Sequence, residues 1–132
     1  MLRAWHGGRS VLLPADIEKE TWRELATAVG AGRLDLRSDV LVPSHHGRMT
    51  GYPPDGILGL IDPQAVIIST DQLPAHLNAT RHYARVAEVF ATRWHGDLHI
   101  EIADDGTLEI SSDRQRLLRD ARGFWYGIKH GA

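Results

Sequence analysis

Residues 40–52 read VLVPSHHGRMTGY, and the point where this stretch changes character decides how the rest of the chain is read. Val40, Leu41 and Val42 are β-prone, Pro43 cannot continue a ladder, and Gly47 permits a tight turn. Two adjacent imidazoles, His45 and His46, therefore fall just past the end of an expected strand. Open α/β sheets collect their working side chains beyond the carboxyl ends of strands, so the pair is a candidate site. The competing reading is a polar turn with two solvated or hydrogen-bonded histidines.

Working outward toward the N-terminus, residues 2–5 and 10–13 are short β-prone runs around HGGR, which reads as a hairpin turn. Trp22, Leu25, Ala26 and Val29 share one helical face, and Gly30 and Gly32 stop that helix. Toward the C-terminus, PPDGILGLIDPQ (53–64) reads as a short helix closed at Asp62-Pro63. AVIIST (65–70) is β-branched without polar alternation, the pattern of a strand buried on both faces. RHYARVAEVFATRW (81–94) places Tyr83, Val86, Ala87 and Phe90 at helical spacing, which predicts a second amphipathic helix. DLHIEIADDGTLEIS (97–111) alternates on both sides of Asp105-Gly106, the strongest hairpin signal in the sequence. Residues 113–132 form a separate tail, with Leu117, Ala121, Phe124, Trp125 and Ile128 at roughly helical spacing. The expected fold class is α/β, a mixed sheet layered with helices.

Composition narrows the chemistry. The chain has 132 residues, enough for one domain with a real core. With no cysteine, disulfides, thiolate zinc sites and cysteine nucleophiles are excluded. A net charge of −2 does not indicate a nucleic-acid partner, although bound metal ions can supply the positive charge that such a substrate needs. No stretch has the apolar length of a membrane span, and no secretory signal is visible, so a cytoplasmic location is the expectation.

Polar groups collect at three expected strand ends. Asp16 either caps the first helix or offers a rigid carboxylate to a hard or borderline metal. With an imidazole from a neighbouring strand end it forms part of a zinc or manganese set, which needs at least one more protein ligand. The loop TDQLPAHLNATRH (70–82) carries Asp71, His76, Asn78 and His82; its histidines read first as solvated, and Asn78 or Thr80 as a helix cap. A rearranged metal site built from Asp16, His45, His46 and either Asp71 or His76 would require that loop to fold over the strand ends. His95 and His99 flank a glycine in a turn-and-strand region, which argues against a paired metal site, with His95 left as a candidate cleft residue. No H-x-H-x-D-H, H-E-x-x-H, G-x-S-x-G or phosphate-binding glycine loop occurs.

Taken in order, GGRSVLLPADIEKE, SDVLVPSHHGRMTG, IDPQAVIIST and TRWHGDLHIEIADDGTLEI resemble the second half of metallo-β-lactamase-fold hydrolases. The similarity is to the ComEC-type competence subgroup with its nuclease-like domain. It covers residues 1–112 as one unit and leaves 113–132 as the tail. The resemblance implies an α/β half of an αββα sandwich, with zinc or manganese as cofactor and metal-assisted hydrolysis as the activity. It implies that Asp16 is the bridging carboxylate and His46 a metal ligand, with His45 and His95 second-shell or substrate-facing. Ala15 stands where that family usually has glycine. The family's H-x-H-x-D-H half is not in this sequence, so the resemblance implies a homodimer or a separate chain that supplies it, or a degenerate hydrolase inactive alone. The alternative is a non-catalytic binding or assembly module. On this reading Trp5, Val11, Leu13, Ile67 and the aromatic tail contribute an apolar interaction surface.

Overall fold

The computed structural model describes residues 1–73 and 79–112. A five-stranded sheet is built from β1 (Leu2–His6), β2 (Arg9–Leu13), β3 (Val40–Leu41), β4 (Ala65–Ile68) and β5 (Glu88–Ala91), in that spatial order. β1 and β2 form the expected antiparallel hairpin, and every other pairing in this sheet is parallel. β6 (Leu98–Ile102) and β7 (Leu108–Ser112) form a second, two-stranded sheet that turns at Asp105-Gly106. The described residues also include four helices: α1 (Lys19–Gly30), α2 (Ile57–Ile61), α3 (Thr80–Tyr83) and α4 (Thr92–His95). The protein is thus an α/β structure with a mixed sheet and a hairpin. Among the described residues no helix is long and apolar enough to cross a membrane.

Strand alternation sorts the apolar side chains into two cores. In β4, Val66 and Ile68 point to the helical side, where they join Trp22 of α1 and Ile57, Leu58 and Ile61 of α2. Ala65 and Ile67 point the other way and meet Val40 and Phe90. Leu98, Ile100, Leu108 and Ile110 of the β6–β7 hairpin cover that second face. With helices on one side and a hairpin on the other, β4 has no solvent face, which is why AVII carries no polar alternation. Ile67, expected to be exposed, is buried by this hairpin, whereas Trp5 on the edge strand β1 is 70% exposed.

The second amphipathic helix expected over 81–94 is corrected to a short helix, a strand and a helical turn. The helical spacing of Tyr83, Val86, Ala87 and Phe90 is broken up in space. Tyr83 packs in the helical core, Phe90 in the hairpin core, and Val86 is exposed. The unpaired edge of β4 takes residues 88–91 as a parallel strand, with Val66 opposite Val89 and Ile67 opposite Phe90. Tertiary pairing overrides a pattern that is helical only in projection. The tail's expected helical spacing lies outside the described residues.

The two hairpin tips lock the layers together. Arg9 Nε donates to the Gly106 carbonyl at 3.0 Å, and His6 Nε2 lies 2.8 Å from the Asp104 carboxylate. Gly7, at φ +54°, sits so close to the carbonyl of Ala103 that a Cβ there would strike it, whereas one on Gly8, at φ +79°, would meet nothing. Both positions carry the left-handed backbone penalty of about 1–2 kcal/mol for a non-glycine residue, but only Gly7 adds a collision with backbone. Gly7→Ala is therefore expected to cost at least about 1 kcal/mol more than Gly8→Ala in urea unfolding. Equal costs would show that the tips do not dock.

Candidate functional site

Parallel pairing of β2, β3 and β4 brings their carboxyl ends to one edge of the sheet. Pro14-Ala15-Asp16 leaves β2, Pro43 to His46 leaves β3, and Ser69-Thr70 leaves β4. Asp16 and the histidine pair, 29 residues apart, are neighbours for this reason alone: Asp16 Oδ1 lies 3.9 Å from His45 Nε2. Asp16 does not cap α1. The cap position is Glu18, which makes no side-chain capping bond.

His46 is fixed by one hydrogen bond, with Nδ1 2.8 Å from the carbonyl oxygen of Ser69. A carbonyl only accepts, so Nδ1 carries the proton and Nε2 keeps its lone pair. A metal-ligating imidazole is oriented in the same way. His45 Nδ1 lies 2.9 Å from Thr50 Oγ1 and 3.9 Å from a Glu18 carboxylate oxygen. His45 is thus tethered to the loop that follows it and stands between two carboxylates beyond hydrogen-bond reach.

Backbone strain is concentrated at the same place. His45 (φ 48°), His46 (φ 55°) and Gly47 (φ 81°) are three consecutive left-handed residues, and Ala15 stands at φ 62°. Non-glycine residues are held in this region only when the surroundings over-determine them, and such residues cluster at functional sites. Ala15, Asp16, His45, His46, Leu13 and Ser69 all line one cavity of about 430 Å³. A second groove of similar volume adjoins it, shares His46 and Ser69, and adds Arg48, Thr70 and Asp71.

Among the described residues, no group of three or more His, Asp or Glu side chains is placed to hold a metal ion. Asp16 and His46, even with His45 beside them, do not make a resident zinc or manganese site by themselves. His76, the other sequence candidate for such a set, lies outside the described residues, as does Asn78. Thr80 is the first residue of α3 rather than its cap, which is Ala79.

His95 sits elsewhere. It is 2% exposed, lines neither cavity, and accepts the Ala91 N–H at 2.9 Å on Nδ1. Its ring packs against Phe90 and Trp94. His95 thus serves the core under the β5–α4 turn, where burial holds its pKa below the ordinary 6.5 and the Ala91 bond offsets this only in part. Sequence reasoning passed over Arg48, Ser69, Thr70 and Glu18. The signal for Ser69 and Thr70 was present, since they follow a fully buried parallel strand as the histidines follow β3. Nothing in the sequence marked Glu18 or Arg48 as a site neighbour.

No family model, curated protein or solved structure matches the chain.

Two measurements check this geometry. Ala15→Gly removes the left-handed penalty at the cavity wall, so net stability should rise by up to about 1 kcal/mol after the glycine's unfolded-state entropy is counted. A loss of stability would mean that the Ala15 methyl packs rather than strains. His95 stays neutral in the folded chain and protonates in the unfolded chain near pH 6.5, so the unfolded state binds more protons below that pH. Its contribution is intact above pH 6.5 and is lost as pH falls toward the lowered folded value. The slope is no steeper than the one-proton limit of about 1.4 kcal/mol per pH unit. His95→Gln should flatten that part of the stability profile, and an unchanged slope would assign it to another group.

Proposed function

We propose that this chain is one half of a metal-dependent hydrolase of the metallo-β-lactamase class, phosphodiesterase-like in substrate. Asp16 and His46 complete a metal centre only with ligands from another polypeptide segment. The observation that carries this reading is the His46 imidazole, pinned through Nδ1 to the Ser69 carbonyl so that Nε2 has no partner among the described residues, at the cavity that Asp16 also lines. The layering of helices on one face of a mixed sheet supports it as well, as an arrangement that one half of an αββα sandwich would need. On this reading the remaining ligands come from another polypeptide segment, in the same protein or in a partner.

A second reading, a non-catalytic binding or assembly module, is favoured by β1. All five of its residues are exposed, with Leu2 at 65% and Trp5 at 70%, and among the described residues no strand pairs with its outer edge.

Zinc titration of the purified chain separates the two. The hydrolase reading expects weak binding, with Kd from roughly micromolar to millimolar, that falls at least about tenfold in both Asp16→Ala and His46→Ala. It also expects hydrolysis of a phosphodiester only after a polypeptide bearing an H-x-H-x-D-H segment is added. Zinc binding unaffected by either substitution would place the metal elsewhere. No zinc binding, with both variants as stable as the parent, would leave the assembly reading.

A further inference from the structure

The groove beside His46 holds a cation and an anion that do not pair with each other. Arg48 and Asp71 both line it, and neither makes an ion pair among the described residues. Arg48 directly follows the left-handed Gly47 and is exposed, and its guanidinium makes no hydrogen bond or ion pair among the described residues. Thr70 and Thr92 also line the groove and are hydrogen-bonded to each other. Thr92 Oγ1 accepts the Thr70 N–H at 2.9 Å and donates to the Thr70 carbonyl at 2.9 Å, which spends its hydroxyl and fixes Thr70. Thr70 Oγ1 accepts the Gln72 N–H at 3.0 Å, leaving its own proton free to donate. The Ser69 hydroxyl makes no hydrogen bond among the described residues, although its carbonyl holds His46.

We propose that this groove is an anion subsite in which Arg48, Ser69 and Thr70 hold a phosphate ester beside His46, with Asp71 opposing the ligand's charge. Guanidinium and hydroxyl donors meet tetrahedral phosphate oxygens with charge-assisted bonds. An anionic ligand gains attraction to Arg48 and meets repulsion from Asp71, and both grow in proportion to the ligand's charge. The cavity, about 430 Å³, lies in the range of small-ligand pockets. The inference rests on the hydrolase reading for what the groove serves, while its ligand binding is measurable without metal.

The test is an NMR titration of the full chain near neutral pH with a chelator present, using a thymidine dinucleotide (one diester charge) and thymidine 5′-monophosphate (nearly two charges). Both ligands are expected to bind, because the Arg48 attraction and the Asp71 repulsion grow together with the ligand's charge. Arg48→Gln should weaken dinucleotide binding by about tenfold or more. Asp71→Asn should raise monophosphate affinity by about fivefold while changing the dinucleotide less. Chemical shifts of the hairpin tip at residues 103–106, docked on the β1–β2 turn at the other end of the sheet, report that each variant is folded. Equal dinucleotide binding by Arg48→Gln, or no dinucleotide binding up to about 10 mM, would each overturn the proposal. Zinc binding bears only on the metal reading: its absence alongside Arg48-dependent diester binding removes the hydrolase and keeps the subsite. Zinc binding lost in Asp16→Ala, with dinucleotide affinity indifferent to Arg48, does the reverse.

Discussion

Asp39 ties three strands together one residue before the shortest of them. Its carboxylate takes the Arg9 guanidinium at 2.7 Å and the Ser10 N–H at 2.8 Å, both from β2. Its backbone carbonyl accepts the N–H groups of Gln64 and Ala65 at the start of β4. Burial pushes the carboxyl pKa up, but the Arg9 and Ser10 bonds outweigh it and hold the group ionised, below the ordinary carboxylate value. β3 contributes only two paired residues to each neighbour, too few to specify register by ladder bonds alone. The Asp39 contacts set that register, and every position at the other end of the sheet follows from it.

The two ends of the sheet consequently differ in kind. At the Asp39 end, polar groups are matched to partners. At the carboxyl end, the chain leaves β2 and β3 through left-handed residues, His45 and His46 among them, and the conformations are held by side-chain anchors: His46 to Ser69 and His45 to Thr50. Strain is tolerated there because the central strands β3 and β4 are buried on both faces. The Trp22 indole adds to the hold, since it is fully buried and donates to the Gly51 carbonyl at 3.0 Å, which secures the segment just after the histidines. A polar edge kept rigid in this way holds the His46 imidazole in one orientation before any ligand arrives.

Much of the fold was legible in the sequence, and the failures have a common cause. The two hairpins, α1, the short helix before Asp62-Pro63 and the doubly buried β4 were each read from local periodicity and turn chemistry. The stretch 81–94 failed because helical spacing and an edge strand with one turn on each side use the same apolar positions, and only the free edge of β4 discriminates between them. His95 could not be placed for the same reason: its residence under β5 depends on where that strand pairs. Ile67 was expected at a surface because a hairpin's inward face does not announce which sheet it will cover.

What the sequence by itself determined is the set of elements and the position of SHHG just past a strand, since Pro43, Gly47 and the β-branched run act over a few residues. The meeting of Asp16, His45, His46, Ser69 and Arg48 at one edge was decided only in three dimensions. Parallel strands put their carboxyl ends together only when pairing order and register are fixed. Those depend on contacts spanning tens of residues, such as Asp39 with Arg9 and Ala65 with Glu88, that no local pattern encodes.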